Sequence, residues 1–247
     1  MVKKLQNPAE QFRDECRDEI ALQGTDARLR DLSRAWLNAS ARTKYSYHFE
    51  WMGRPIIQYP QDMLAMQEII WRVKPEIIVE TGIAHGGSLV FYASILELIG
   101  QGEVLGIDID IRAHNRAAIE DHPMARRIRL VQGSSIDAAI ADVARQAAAG
   151  KRTLVVLDSN HTHDHVAAEL KLYAPLTSVG SYCVVMDTVV EDMPEGSFPN
   201  RPWGQGNNPK TAVLEFIKDH PEFQIDHEVD NKLMVSVAPS GYLRRVG

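Results

Sequence analysis

Ile77-Ile78-Val79-Glu80-Thr81-Gly82-Ile83-Ala84-His85-Gly86-Gly87-Ser88 is the stretch that decides the fold. A short β-branched run ends in an acid and passes at once into a glycine-rich turn, and the apolar run Leu89 to Leu98 follows. That is how a buried parallel strand delivers a ligand to the start of a helix, because amides freed at a helix entrance need a partner. Glycines there let a ligand approach where a side chain would collide.

Working outward, strands are expected near 77–80, 103–107, 128–132, 153–157 and 182–186, alternating with helices near 87–99, 114–121, 136–149 and 163–173. Gly100 and Gly150 stand where helices should stop, and Ser135 where one should start. Such alternation predicts an α/β fold with a mostly parallel sheet and helices on both faces. A helix from Pro209 to about His220 and two strands near 223–227 and 232–237 should follow. With only a short turn between them these last strands must pair antiparallel, giving the sheet a reversed edge.

Upstream, residues 1–50 read as a polar N-terminal helical extension, with residues 51–247 as the main domain. The aromatic run Tyr45 to Trp51 is expected to pack as a lid or subunit contact in preference to forming a substrate-facing wall. Arg54 to Pro60, with two prolines, should be extended. Met63, Met66, Ile69, Ile70 and Val73 recur at helical spacing up to Lys74-Pro75, which makes both methionines core residues.

Composition narrows the partners. The 247 residues are 45% hydrophobic and 24% charged, with a net charge of −6, enough apolar material for a sizeable core. No basic stripe interleaved with aromatics points to nucleic acid, and no apolar run reaches membrane-spanning length. The N-terminus lacks the apolar core of a signal peptide, and Cys16 and Cys183 read as reduced thiols, so a cytoplasmic location is expected.

The glycine spacing Gly82-x-x-x-Gly86-Gly87 departs from the dinucleotide pattern G-x-G-x-x-G. Val104 to Ile107 runs into Asp108, a carboxylate placed at a strand end to accept from both hydroxyls of a ribose. Ser134 and Ser135, small residues after the third strand, could border a flat adenine. Loop, acid and rim together fit S-adenosylmethionine, a nucleoside donor without phosphate.

Chemistry should lie at the next two strand ends, Asp158-Ser159-Asn160-His161 and Asp187-Thr188. Carboxylates at the ends of adjacent parallel strands can converge on a hard cation such as magnesium. His161 could take a proton from an acceptor hydroxyl. A rival reading uses His161, His163 and His165 as zinc ligands of a metal-dependent hydrolase. Their spacing, H-x-H-D-H, lacks one residue of the H-x-H-x-D-H element, and His163 and His165 read better as polar groups at a helix N-terminus. A noncatalytic S-adenosylmethionine-binding partner is the remaining alternative.

Taken in order, VETGIAHGGS, GIDID, VQGSS, LDSNHTHDH, VVMDTVVED, WGQGNNPKTAV and APSGYLRRV resemble the cephalosporin hydroxylase and rhamnosyl O-methyltransferase family, from about Trp51 onward. The resemblance implies a Rossmann-like class I S-adenosylmethionine-dependent methyltransferase with a seven-stranded sheet. It assigns Glu80, Gly82, His85 and Ser88 to the methionine-binding loop, Asp108 to the ribose, and Ser134 and Ser135 to the adenine rim. Asp158 and Asp187 match metal ligands, with Asp158 also bordering the donor, and His161 matches the general base. Where relatives often carry Glu before the second metal aspartate, this chain has Met186, a poor magnesium ligand, so Thr188, water or substrate oxygens are left to complete the coordination. The expected function is methylation of a hydroxyl on a small molecule, a sugar, glycosylated natural product or glycan precursor, by a homo-oligomeric enzyme. The segment Phe198 to Gly206, with Trp203, is the expected lid.

Overall fold

The computed structural model describes residues 7–247, so the first six residues of the expected N-terminal extension lie outside the described residues. Two helices come first, α1 (Pro8–Thr25) and α2 (Ala27–Ala41), each opened by a side chain that accepts a free amide: Asn7 from Ala9 and Asp26 from Leu29. A small antiparallel ribbon follows, β1 (Phe49–Trp51) and β2 (Arg54–Ile56). Next comes α3 (Pro60–Val73), whose first residue is proline and whose end is a left-handed Lys74 just before Pro75.

The body alternates β3 (Ile77–Thr81), α4 (Gly87–Ile99), β4 (Glu103–Asp108), α5 (Ala113–Glu120), β5 (Ile128–Gln132), α6 (Ala138–Ala148), β6 (Thr153–Leu157), α7 (His163–Tyr173) and β7 (Tyr182–Val185). The chain ends with α8 (Pro209–Asp219), β8 (Phe223–Ile225), α9 (His227–Leu233) and β9 (Tyr242–Arg245). The main sheet has seven strands in the order β5-β4-β3-β6-β7-β9-β8. From β5 to β7 all neighbours are parallel, and β9 runs against both β7 and β8. The expected antiparallel edge is therefore built from β9, which runs against both neighbours, and β8, which stands outermost.

Alternation along each strand divides the core into two layers. Ile78, Val104, Leu154, Val156 and Val184 face a layer shared with α3 and α4, while Val79, Leu105, Val155, Leu157 and Val185 face one shared with α6, α7 and α8. Every residue of β3 is buried, as a strand covered on both faces requires. Because β4 and β5 lie to one side of β3 and β6 and β7 to the other, a crevice opens beyond the C-terminal ends of β3, β4 and β6.

Two expectations are corrected here. Residues 232–237 do not form a strand: α9 runs through Leu233, and the place beside β7 is taken by Tyr242–Arg245. The β-branched run 235–237 is held by a carboxylate instead of a ladder, since Ser236 Oγ and Val237 N donate to the two oxygens of Asp62 at 2.5 and 2.9 Å. Tyr242 Oη donates to the same carboxylate at 2.8 Å, and burial pushes the Asp62 pKa up to about 6. The start of α6 also moves, because Asp137, not Ser135, accepts from the free amide of Ala139. Among the described residues no helix is long and apolar enough to cross a membrane.

Candidate active site

The crevice at the strand ends opens into a cavity of about 560 Å³. One wall is the glycine-rich loop after β3 with the end of β4: Gly82, Ile83, Ala84, His85, Gly87, Ser88 and Asp108 all line it. The Asp108 carboxylate tightens this wall, accepting from Ile83 N at 2.9 Å and from Asp110 N at 3.0 Å. Glu80 lies beneath, fully buried, and accepts from Ser88 Oγ at 2.8 Å. Burial pushes its pKa up to about 8, outweighing the Ser88 hydrogen bond. Gly82 cannot be another residue here, since its φ is +80° and a Cβ would stand 2.0 Å from the carbonyl oxygen of Asp158.

That contact joins the loop to the second wall. Asp158, at the end of β6, donates its backbone N–H to Thr81 O, and Met186 at the end of β7 does the same to Leu157 O. The strand ends thereby place Asp158 and Asp187 side by side, with His161 at the entrance to α7. One ligand atom from each of Asp158, His161 and Asp187 falls within 4.8 Å of the other two, the one such cluster among the described residues. His161 Nε2 is 3.3 Å from Asp187 Oδ2. Burial and the negative charges of Asp187 and Glu80 hold the Asp158 carboxyl well above the usual carboxylate range. A shared cation would relieve that repulsion, and two carboxylates with one imidazole are suitable donors for a divalent metal.

The third wall comes from loops. Ser46 and Tyr47 line the cavity, whereas Tyr45, Phe49 and Trp51 of the same run pack against the core, so the aromatic stretch both packs and faces the cavity. Opposite them Phe198, Arg201 and Trp203 also line it. Trp203 meets the His161 ring edge-on at 4.8 Å between centroids. The loop is tied down at its far end, where Gly206 N donates to Glu191 Oε2 at 2.8 Å and Asn208 Nδ2 to Gly204 O at 2.8 Å. Asn208 and Thr211 form a reciprocal cap at the start of α8.

Not every expected residue arrives at the cavity. Thr188 is fully buried and its hydroxyl donates to Pro239 O at 2.7 Å, and it is absent from the lining. Ser134 and Ser135 are absent from it too, and Ser135 Oγ lies 3.1 Å from His165 Nε2. Met186 is buried in the core. The three clustered histidines diverge: His161 faces Asp187, His163 Nδ1 meets Thr211 Oγ1 at 2.8 Å, and His165 Nε2 meets Ser159 Oγ at 3.1 Å. They do not form one zinc site. Gln58, Tyr59 and Arg201 were not singled out in the sequence, yet all three line the cavity. The available signal for Gln58 was a single amide in an otherwise apolar extended run, Ile56-Ile57-Gln58-Tyr59.

The family model "Rhamnosyl O-methyltransferase/CmcI" matches residues 43–246. A rhamnosyl O-methyltransferase of Mycobacterium bovis is 35% identical over 211 residues, covering 82% of this chain and 79% of its own. That of Mycobacterium leprae is 31% identical over 200 residues, covering 79% of this chain and 82% of its own. Among solved structures, CmcI-D160 with Mg and SAM superposes with a TM-score of 0.57 at 20% identity, covering 81% of this chain and 78% of that one, a likeness of fold. Crevice, sheet order and sequence agree, and the chain belongs to the Rhamnosyl O-methyltransferase/CmcI family of S-adenosylmethionine-dependent methyltransferases.

Proposed function

We propose that the protein methylates a hydroxyl of a sugar-bearing small molecule, with S-adenosylmethionine on the wall formed by Gly82 to Ser88 and Asp108 and a divalent cation between Asp158 and Asp187. The observation that carries the reading is the acid–imidazole cluster of Asp158, His161 and Asp187 on the same cavity as the glycine loop. When bound, the donor supplies an electrophilic methyl carbon and the cation lowers the pKa of a nearby hydroxyl. The chain's own residues have three tasks. His161 takes the acceptor proton, Asp187 beside it holds the imidazole in orientation, and the cavity walls fix the hydroxyl in line and keep water out. Glu80 and Ser88 hold the donor loop in shape, and Asp108 stands where ribose hydroxyls can donate to it. Phe198, Arg201 and Trp203 cover the acceptor side, where a ring face such as Trp203 suits the apolar face of a sugar.

A sugar acceptor is favoured by the 35% identical relative named for rhamnosyl methylation. The test is calorimetric titration with S-adenosylhomocysteine, with and without magnesium, followed by transfer of labelled methyl to a panel of rhamnosides and other glycosides. Binding of the donor product and transfer to a glycoside are expected. A protein that binds no donor product under either condition ends the proposal, and transfer confined to non-glycosylated phenols overturns the sugar assignment alone.

A further inference from the structure

Asp187 sits in a turn that its own strand does not impose. Its φ is +54° and its ψ 21°, left-handed backbone that residues other than glycine adopt at a cost, between the buried ladder of β7 and the short turn Thr188–Asp192. The segment 236–241 wraps around it. Val185 N donates to Gly241 O at 2.8 Å, Thr188 Oγ1 to Pro239 O at 2.7 Å, and Val189 N to Val237 O at 3.1 Å. The fit leaves no spare room, since a Cβ on Gly241 would stand 2.1 Å from Val185 O and 3.2 Å from Thr188 Cγ2.

The wrapping segment belongs to no strand or helix, so its shape needs another support. That support is Asp62, fully buried in the first turn of α3. One carboxylate oxygen accepts from Ser236 Oγ at 2.5 Å and from Tyr242 Oη at 2.8 Å, and the other accepts from Val237 N at 2.9 Å. Ser236 Oγ accepts in turn from Ala238 N at 2.8 Å. A carboxylate offers enough lone pairs to take all three donors at once. Val237 is the joint between anchor and turn, because its N–H goes to Asp62 while its C=O receives Val189. Asp62 is absent from the cavity lining, whereas Asp187, Val189 and Val237 are part of it.

We infer that Asp62 is a positioning residue for the cation site: through the backbone of Val237 it fixes the turn at 187–189, and with it the direction in which the Asp187 carboxylate meets Asp158 and His161. It touches neither donor nor acceptor. The inference rests on the reading of Asp158 and Asp187 as cation ligands given above. Ligand atoms from Asp158, His161 and Asp187 that fall within 4.8 Å of one another keep that spacing only while the Asp187 turn keeps its shape. Groups that orient a metal ligand without touching the ion change affinity by about 10- to 100-fold when removed.

The experiment is calorimetry on the full chain with manganese(II) in the presence of S-adenosylhomocysteine, with S-adenosylhomocysteine also titrated by itself. Asp62→Leu removes every acceptor; it should weaken manganese about 10- to 100-fold and leave S-adenosylhomocysteine within about twofold. Asp62→Asn keeps an acceptor for Val237 N and lets the Ser236 and Tyr242 hydroxyls accept in reverse, so its manganese affinity should return to within about threefold of the unchanged protein. Tyr242→Phe cuts the one Asp62 contact that does not lead to the turn. It should lower the melting temperature and leave manganese affinity within about twofold. Thr188→Val removes a single strut and should weaken manganese about three- to tenfold, which keeps the test decisive where Asp62→Leu fails to fold. Unchanged manganese affinity in Asp62→Leu, or in Thr188→Val, would overturn the inference. So would Asp62→Asn or Tyr242→Phe proteins as impaired as Asp62→Leu, or S-adenosylhomocysteine affinity falling in step with manganese, since the effect would then be one of charge or general stability. An unchanged protein that binds S-adenosylhomocysteine but no manganese would instead overturn the cation reading itself.

Discussion

The two sides of the cavity are built by different means. The donor side is made of strand ends and the turns directly attached to them: β3 is wholly buried, Gly82 presses on the Asp158 carbonyl, and Asp108 is locked by two backbone amides. The opposite side, proposed above to hold the acceptor, is made of loops, with Ser46 and Tyr47 from before the first ribbon and Phe198, Arg201 and Trp203 from between β7 and α8. Sheet ladders hold the first side, whereas the loop between β7 and α8 is held by side-chain and turn contacts, among them Gly206 N to Glu191 and Gln205 Nε2 to Met193 O. A rigid frame bearing adaptable loops is how one fold can hold a constant donor and accept varied partners. Asp158, His161 and Asp187 stand at the seam.

Substitutions at the seam should have the largest effects. Asp187→Ala should abolish divalent-cation binding and lower turnover by about 1,000-fold or more, as expected when several kcal/mol of charge stabilisation are lost, while S-adenosylhomocysteine still binds. Loss of donor binding in this variant would break the division of the cavity into two sides. His161→Ala should lower kcat by about 100- to 10,000-fold, the range for a general base, with cation binding by calorimetry retained. Cation binding lost together with turnover would make His161 a metal ligand instead.

Gly82→Ala tests the join between the two sides. The added methyl meets the Asp158 carbonyl in a backbone conformation that alanine avoids, so chemical denaturation should show a loss of about 3 kcal/mol, with donor affinity and cation affinity both falling. Trp203→Ala belongs to the acceptor side alone. It should raise acceptor KM about tenfold and change donor affinity by less than about twofold, since one aromatic face is lost from a loop.

The smallest effect belongs to Glu80 and concerns pH. Burial pushes its pKa up to about 8 from an ordinary 4.5, so between those values the folded state holds a proton that the unfolded state has released. The associated stability is complete below about pH 4.5 and is lost as pH rises toward about 8. Melting curves of the ligand-free protein should therefore fall over that window, and Glu80→Gln should flatten that fall. An identical pH profile in the variant would show that Glu80 is ionised in the folded state throughout.

Much of this arrangement could be read in the chain. The β-branched run ending in Glu80, the turn of glycines after it, and the acids at Asp108, Asp158 and Asp187 each follow from local pattern, because a strand covered on both faces must be apolar until it emerges at its ligand end. The parallel body and the helix opened by Asn208-Pro209 follow for the same reason. The tail is ambiguous by pattern: Val235, Ser236 and Val237 have strand composition, yet the buried carboxylate of Asp62, 174 residues from Ser236 in sequence, and the Val189 amide hold them otherwise. The sequence by itself thus determined the order of elements and the residues at the strand ends, since periodicity and turn chemistry act over a few neighbours. Tertiary structure alone decided that His161 joins the acids while His163 and His165 turn elsewhere, that the Thr188 hydroxyl is occupied by Pro239 O, and that Gln58 lines the cavity. Those outcomes depend on contacts between segments far apart in the chain, which no local spacing encodes.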